Sequence, residues 1–511
     1  MGKNKAKRAL QSSHYNGPAT KKAKISAITT PPPDAPISRP QTLNDLDLTH
    51  DDLEISVDVL NTLAENPGII KSKVCKELRT AVFTFRQACT TGVNASVDSN
   101  LTSRISGALA DENYVEARIL LAEMRIRGQA PKLGALCRWT RDLDVVGGLQ
   151  LDLDDDQINL EAADIVKKSC PRKEQLVKVL DSILRVVGPV DCTIEPDTPL
   201  DTNRLIISRR EWNLRDTTTS SEQTYASVLN SSIYETAFGE DSTWISSHFR
   251  VIETIPGLQR KPPNLHPAIL YASKDNTISL IANATTPTHH THPIVPNLHL
   301  FHSVLTSQEC TQIIAAAETM GFTPDAPIRA PGEESSILAH NFYWVADPAS
   351  CTNLWDRVAP FVPSNINGQN VRGLNRRFRV YRYVPGAEYR AHIDGAWPPS
   401  GIDLVTDTYI YDDSPKGSPQ SSLFTFLIYL NDEFDAGETT FFLPSVREGV
   451  LNSYPVKPVQ GSILMFPHGE TEGSLLHQGT GVARGKEGSP SAKYVIRTDV
   501  LYDVGAGVGS K

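Results

Sequence analysis

Tyr389-Arg390-Ala391-His392-Ile393-Asp394 is the stretch on which the reading of this chain turns. Residues two apart on a strand face the same side, so His392 and Asp394 can offer an imidazole and a carboxylate to one ion. His477, 83 residues after Asp394, must bring a second imidazole from another strand. Two imidazoles and one carboxylate leave one face of an octahedral metal open, which suits ferrous iron and dioxygen. Further on, Lys493-Tyr494-Val495-Ile496-Arg497 places Lys493 and Arg497 on one face of a strand, as cations for an acidic co-substrate. A zinc hydrolase also fits His-Asp-His but leaves that downstream cation unexplained.

Working outward, short strands are predicted at Phe378 to Tyr383, Leu423 to Leu430, Thr439 to Leu443, Gly461 to Phe466 and Lys493 to Tyr502, parted by Gly, Pro and Asp turns. Such a succession suits a double-sheet barrel. Thr306-Ser307-Gln308-Glu309 predicts a capped helix start ahead of Cys310 to Ile314.

Residues 298 to 504 resemble the prolyl 4-hydroxylase-like catalytic domain of the iron and 2-oxoglutarate dioxygenases. The resemblance rests on Arg382-Tyr383, Pro385-Gly386, Tyr389, His392 with Asp394, Gly437-Glu438-Thr439-Thr440-Phe441, Gly461 to Phe466, His477 with Gly479, and Lys493-Tyr494. It implies an α+β chain ending in a double-stranded β-helix (jelly roll), with Fe(II) held by His392, Asp394 and His477. It further implies Lys493 as partner of the distal carboxylate of 2-oxoglutarate, Tyr383 as a hydroxyl donor to it and Tyr389 as a wall of the pocket. Arg497 competes with Lys493, because the insertion Gly485 to Ser491 upsets the spacing from His477; Lys486 within it is a third option. Glu438 is expected to fix a turn, and His468 to lie in a loop off the metal. The reaction implied is hydroxylation of an unactivated carbon by dioxygen, most simply of a prolyl residue in a protein, with release of succinate and carbon dioxide. Alternatives are hydroxylation or demethylation of another protein residue or of nucleic acid, and an interaction scaffold carrying a degenerate oxygenase domain.

The rest of the chain is less specific. With 511 residues, 40% of them hydrophobic, several cores can form, and a net charge of -9 excludes a surface that attracts polyanions as a whole. Residues 1–42 form an expected disordered basic arm, in which Lys21-Lys22-Ala23-Lys24 is an import signal, a weak nucleic-acid contact or a solubilising element. Helical spacing marks residues 43–150: Leu53, Val57, Val59, Leu60 and Leu63, then Val74, Leu78, Val82, Phe83 and Phe85, then one segment from Ala108 to Arg127. Residues 151–296 read as a mixed region with an acidic connection near Asp152 to Asp156, and residues 505–511 as a tail. The histidines of Thr286 to His302, set among prolines, read as a linker. Between Asp394 and Leu423 a polar, acidic excursion suits a lid over substrate or a solvated hairpin, and its acidity favours a basic or neutral polypeptide. Seven cysteines without a C-x-x-C predict reduced thiols. Without an apolar leader or a run long enough to span a bilayer, a nuclear or cytoplasmic place is expected and no membrane partner.

Overall fold

The structure is a computed structural model that describes residues 48–91, 101–146, 149, 151, 171–193, 205–215, 224–239, 243–260, 263–281, 285–328, 337–469, 471, 473–483 and 490–504. The basic arm, the acidic connection, Lys486 with most of its insertion, and the tail lie outside the described residues.

The chain divides into two compact units, Met1–Phe83 and Thr84–Lys511. In the first, helix His50–Ala64 opens with a capping box: the Thr49 hydroxyl accepts from the Asp52 N–H, and the Asp52 carboxylate accepts from the Thr49 N–H. The expected apolar face forms on this helix, yet none of its side chains is buried.

In the second unit the segment read as one helix is two, Leu101–Ala110 and Tyr114–Ile126. Glu112 adopts φ 55°, which an α-helix cannot continue, and Asn113 caps the next helix by accepting from the Glu116 N–H. These helices, with Leu133–Arg141 and Pro171–Val187, bury Leu120, Leu121, Met124 and Leu180 in one apolar cluster with Ala391, Ile393, Leu451 and Leu476.

The architecture is mixed α+β, with most strands in one continuous sheet made of two antiparallel ladders that join where Ala387–His392 pairs in parallel with Ile337–Val345. The larger runs Ile337–Val345, Arg377–Tyr383, Lys493–Asp503, Gln420–Tyr429, Ile463–Pro467, His299–His302, each antiparallel to the next. In the smaller, Ala387–His392, Leu476–Gly479, Thr439–Pro444 and Leu451–Val456 follow one another antiparallel, and Ile206–Ser208 joins in parallel. Tyr429, Phe441, Phe466 and Val495, drawn from both ladders, share one core cluster. Strands such as Thr439–Pro444 are buried throughout, which is why they read as continuous apolar runs.

One expectation is corrected, and one alternative is met. The histidine tract is a hairpin, with Thr288–Thr291 antiparallel to His299–His302; Pro287, Pro293 and Pro296 fall outside the paired positions and break no ladder bond. The excursion after Asp394 contains an ordered hairpin, Gly401–Asp403 with Thr408–Ile410. Among the described residues no helix is long and apolar enough to cross a membrane.

Candidate metal centre

His392 closes the strand Ala387–His392 and lies directly across the ladder from His477. Their ring centroids are 4.4 Å apart. Asp394 turns back between them, with Oδ1 3.3 Å from His392 Nε2 and Oδ2 3.5 Å from His477 Nε2. One ligand atom from each of the three lies within 4.8 Å of the others. Adjacent ligands on an octahedral ion with bonds of about 2.1 Å stand about 3 Å apart, so the set needs only a small contraction to hold one.

The tautomers point the same way. His392 Nδ1 is 2.7 Å from the Arg390 carbonyl and His477 Nδ1 is 3.2 Å from the Leu475 carbonyl. A carbonyl only accepts, so each Nδ1 carries a proton, which leaves each Nε2, on the side of Asp394, as the nitrogen that can bind an ion. Burial pushes His477 down to about 3, His392 adding to the effect and Asp394 opposing it, so this imidazole is neutral, as a ligand must be. Burial alone raises the Asp394 carboxyl, but Arg497, His477 and His392 outweigh it and hold the group well below the usual carboxylate range. The residues present fit a divalent cation.

Behind the carboxylate runs a directed chain of hydrogen bonds. The Thr425 hydroxyl donates to Asp394 Oδ2 at 2.7 Å and is 2.7 Å from His468 Nδ1, while His468 Nε2 is 2.7 Å from the Ser422 hydroxyl, which accepts from the Trp397 N–H at 2.9 Å. Since Thr425 spends its proton on Asp394, His468 Nδ1–H must donate to Thr425, and His468 Nε2 must accept from Ser422. His468 is therefore not a ligand but orients one through Thr425. Sequence reasoning missed Thr425; its only signal was a lone hydroxyl within the apolar run Leu423 to Leu430.

The two candidate cations differ. Arg497 donates to Asp394 at 3.2 Å, Asp499 at 3.2 Å and the Gly395 carbonyl at 3.3 Å. Among the described residues Lys493, 1% exposed, has only the Gly437 carbonyl, at 2.6 Å, as a hydrogen-bond partner, with the rings of Tyr383 and Tyr429 5.1 and 5.5 Å from its ammonium. Burial lowers Lys493 to about 7, against the opposing pull of Glu438. Gly437 sits at φ 75°, where a side chain would be strained and a Cβ would meet the Phe434 ring at 2.6 Å, so glycine is required to aim that carbonyl.

An opening of about 400 Å³ is bordered by His392, Asp394, His477, Tyr383, Tyr389, Lys493 and Arg497, with Thr425, Leu427 and Val495 completing the walls. The Tyr389 ring lies 4.3 Å from that of His392. A Cβ on Gly479 would come within 3.0 Å of the Tyr383 hydroxyl, so glycine keeps that corner open. Burial raises the Tyr383 phenol, which stays a protonated donor. Glu438 does not border the opening; it pairs with Lys457 at 2.8 Å and accepts from the Thr480 hydroxyl at 3.2 Å.

Helical residues brace both ligand strands from outside. Arg390 pairs with Asp144 at 3.0 Å and donates to the Leu149 carbonyl at 3.1 Å, and Gln478 donates to the Leu151 carbonyl at 3.4 Å.

No family model and no curated protein matches the chain. Among solved structures, a prolyl-4-hydroxylase of Pseudomonas putida is 20% identical over 26% of this chain and 52% of its own, with a TM-score of 0.15. The chain thus spans about half of that protein's length. An oxidoreductase of the 2OG-Fe(II) oxygenase family from Burkholderia pseudomallei is 15% identical over 40% of this chain and 85% of its own, with a TM-score of 0.24. Likeness this slight carries no assignment, and what the site can do rests on its own side chains.

Proposed function

We propose that this chain is an iron(II)- and 2-oxoglutarate-dependent oxygenase whose two ladders form a double-stranded β-helix, and that it hydroxylates a prolyl residue of a polypeptide. One observation carries the reading: a His-Asp-His set and an under-paired buried lysine border the same opening. Ferrous iron held by His392, Asp394 and His477 would supply activation of dioxygen, one oxygen atom entering the substrate C–H bond and the other the succinate left when 2-oxoglutarate loses carbon dioxide.

The chain's own residues do the placing. Lys493 meets the distal carboxylate as a point charge, and the Tyr383 hydroxyl donates to the same ligand. Thr425 and Arg497 hold the Asp394 oxygens, and the backbone carbonyls of Arg390 and Leu475 keep both imidazole protons off the metal side. Leu427 and Val495 line the cavity with apolar surface, which strengthens every polar contact made inside it.

Anaerobic titration with ferrous iron, followed by measurement of succinate release in air with peptide and oligonucleotide pools, tests the reading. Tight iron binding with succinate release stimulated by proline-containing peptides is expected. Iron binding without any decarboxylation would leave a scaffold, and stimulation by oligonucleotides alone would transfer the chemistry to nucleic acid.

A further inference from the structure

Arg377 is a cation on the same strand face as Tyr381 and Tyr383 that the proposed reaction does not use. Its guanidinium lies between two aromatic faces, 4.2 Å from the Tyr343 ring centroid and 4.1 Å from that of Trp397. Sandwiched this way, the planar fork has its faces covered and only its N–H edge left to bind. Among the described residues no carboxylate pairs with it. Its neighbour on the same strand face, Arg379, is in contrast already taken by Asp325 at 2.9 Å. Burial raises the Tyr343 phenol, but Arg379 and Arg377 reverse this and bring it below its ordinary value, a sign of surplus positive potential there.

The stack leads to the metal centre. From His392 the path runs through Tyr389, Arg379 and Tyr343 to Arg377, in steps of 4.3, 5.9, 5.1 and 4.2 Å. Arg377 therefore lies within about 20 Å of the ligand, a reach of at most about six extended residues.

We propose that Arg377, held by Tyr343 and Trp397, forms a subsite for an acidic side chain of the polypeptide substrate, within six residues of the oxidised one. The proposal rests on the oxygenase reading for the position of the oxidised residue. It departs from the preference the acidic excursion suggested, and several of those acids already have partners: Asp407 pairs with Arg250, Asp403 accepts from the Val405 and Thr406 N–H groups, and Asp412 accepts from the Ser414 N–H. A single stacked fork suits one carboxylate of a peptide better than the repeated phosphates of a nucleic acid, which call for several cations.

The test is fluorescence anisotropy with the full chain, manganese(II) and 2-oxoglutarate under argon, using labelled proline-centred peptides that carry either Asp and Glu or Lys and Arg within six positions, and a single-stranded oligonucleotide. The acidic peptides are expected to bind about tenfold or more tightly than the basic ones. Arg377→Glu should invert the preference, while Arg377→Lys, which keeps charge but loses the stacked fork, should retain part of it. Equal binding of both peptide sets, an unchanged preference in Arg377→Glu, or binding of the oligonucleotide alone overturns the subsite. The two readings fail separately: an Arg377-dependent preference in a chain that neither binds iron nor releases succinate removes the oxygenase and leaves the subsite, and succinate release without a preference does the opposite.

Discussion

The groups around Asp394 and the floor of the cavity around Lys493 both bury charge, and they differ in how that charge is answered. Asp394 meets a guanidinium, a threonine hydroxyl and two imidazole nitrogens. Lys493 meets one backbone carbonyl and two aromatic rings. A buried ion with a full set of partners is part of the architecture, whereas one left short of partners costs stability until an anion arrives. On the oxygenase reading, the difference separates what would hold the metal from what would await the co-substrate.

The comparison breaks most visibly at the ligands. His477→Ala should abolish stoichiometric iron binding and lower succinate release by at least about 1000-fold, with an unchanged far-ultraviolet circular dichroism spectrum showing that the fold survives. Next comes stability. Arg497→Met strands Asp394 and Asp499 and should cost about 3–5 kcal/mol in urea unfolding, while Lys493→Met should be neutral or stabilising. Equal losses in the two variants would erase the distinction drawn here.

Function should then sort in reverse. Lys493→Met is expected to raise the KM for 2-oxoglutarate about 100-fold while leaving iron affinity within about twofold, since truncating one side of a buried charge pair weakens chiefly that pair. The pH dependence sharpens this. Only the protonated Lys493 attracts the dianion, and in the unliganded protein it loses its proton near about 7. Below that pH the KM should be flat, and above it the KM should climb about tenfold per unit until the complex loses the proton as well. Lys493→Arg should flatten the climb, because guanidinium does not titrate in this range. The smallest effect belongs to Thr425→Val, which removes one donor to Asp394 and should weaken iron binding about tenfold in a competition titration.

Legibility in the sequence followed the length scale of the physics. Spacing along the chain is local, so the nearness of His392 and Asp394 was readable, although Asp394 lies just past the end of the strand Ala387–His392 rather than alternating on it. Thr425 was not readable, because what makes it matter is His468 on one side and Asp394 on the other, 43 and 31 residues away. The helices make the same point. Leu53 to Leu63 and Tyr114 to Met124 show the same periodicity, yet the first set is largely exposed and the second is buried. Periodicity specifies a helix and says nothing of what covers it. The excursion after Asp394 shows the same limit: composition counts carboxylates, but only structure shows that Asp403 and Asp412 accept hydrogen bonds within their own turns.

The strand Lys493–Asp503 lies in the interior of the larger ladder, between Arg377–Tyr383 and Gln420–Tyr429. On the ribosome both neighbours emerge before it, so a nascent chain that already carries His392, Asp394 and His477 still has a slot where this wall belongs. Translation therefore delivers the metal ligands first and the ammonium after them. A polypeptide cut short before residue 493 keeps His392, Asp394 and His477 but loses the interior strand, Lys493 and the Arg497 guanidinium that pairs with Asp394.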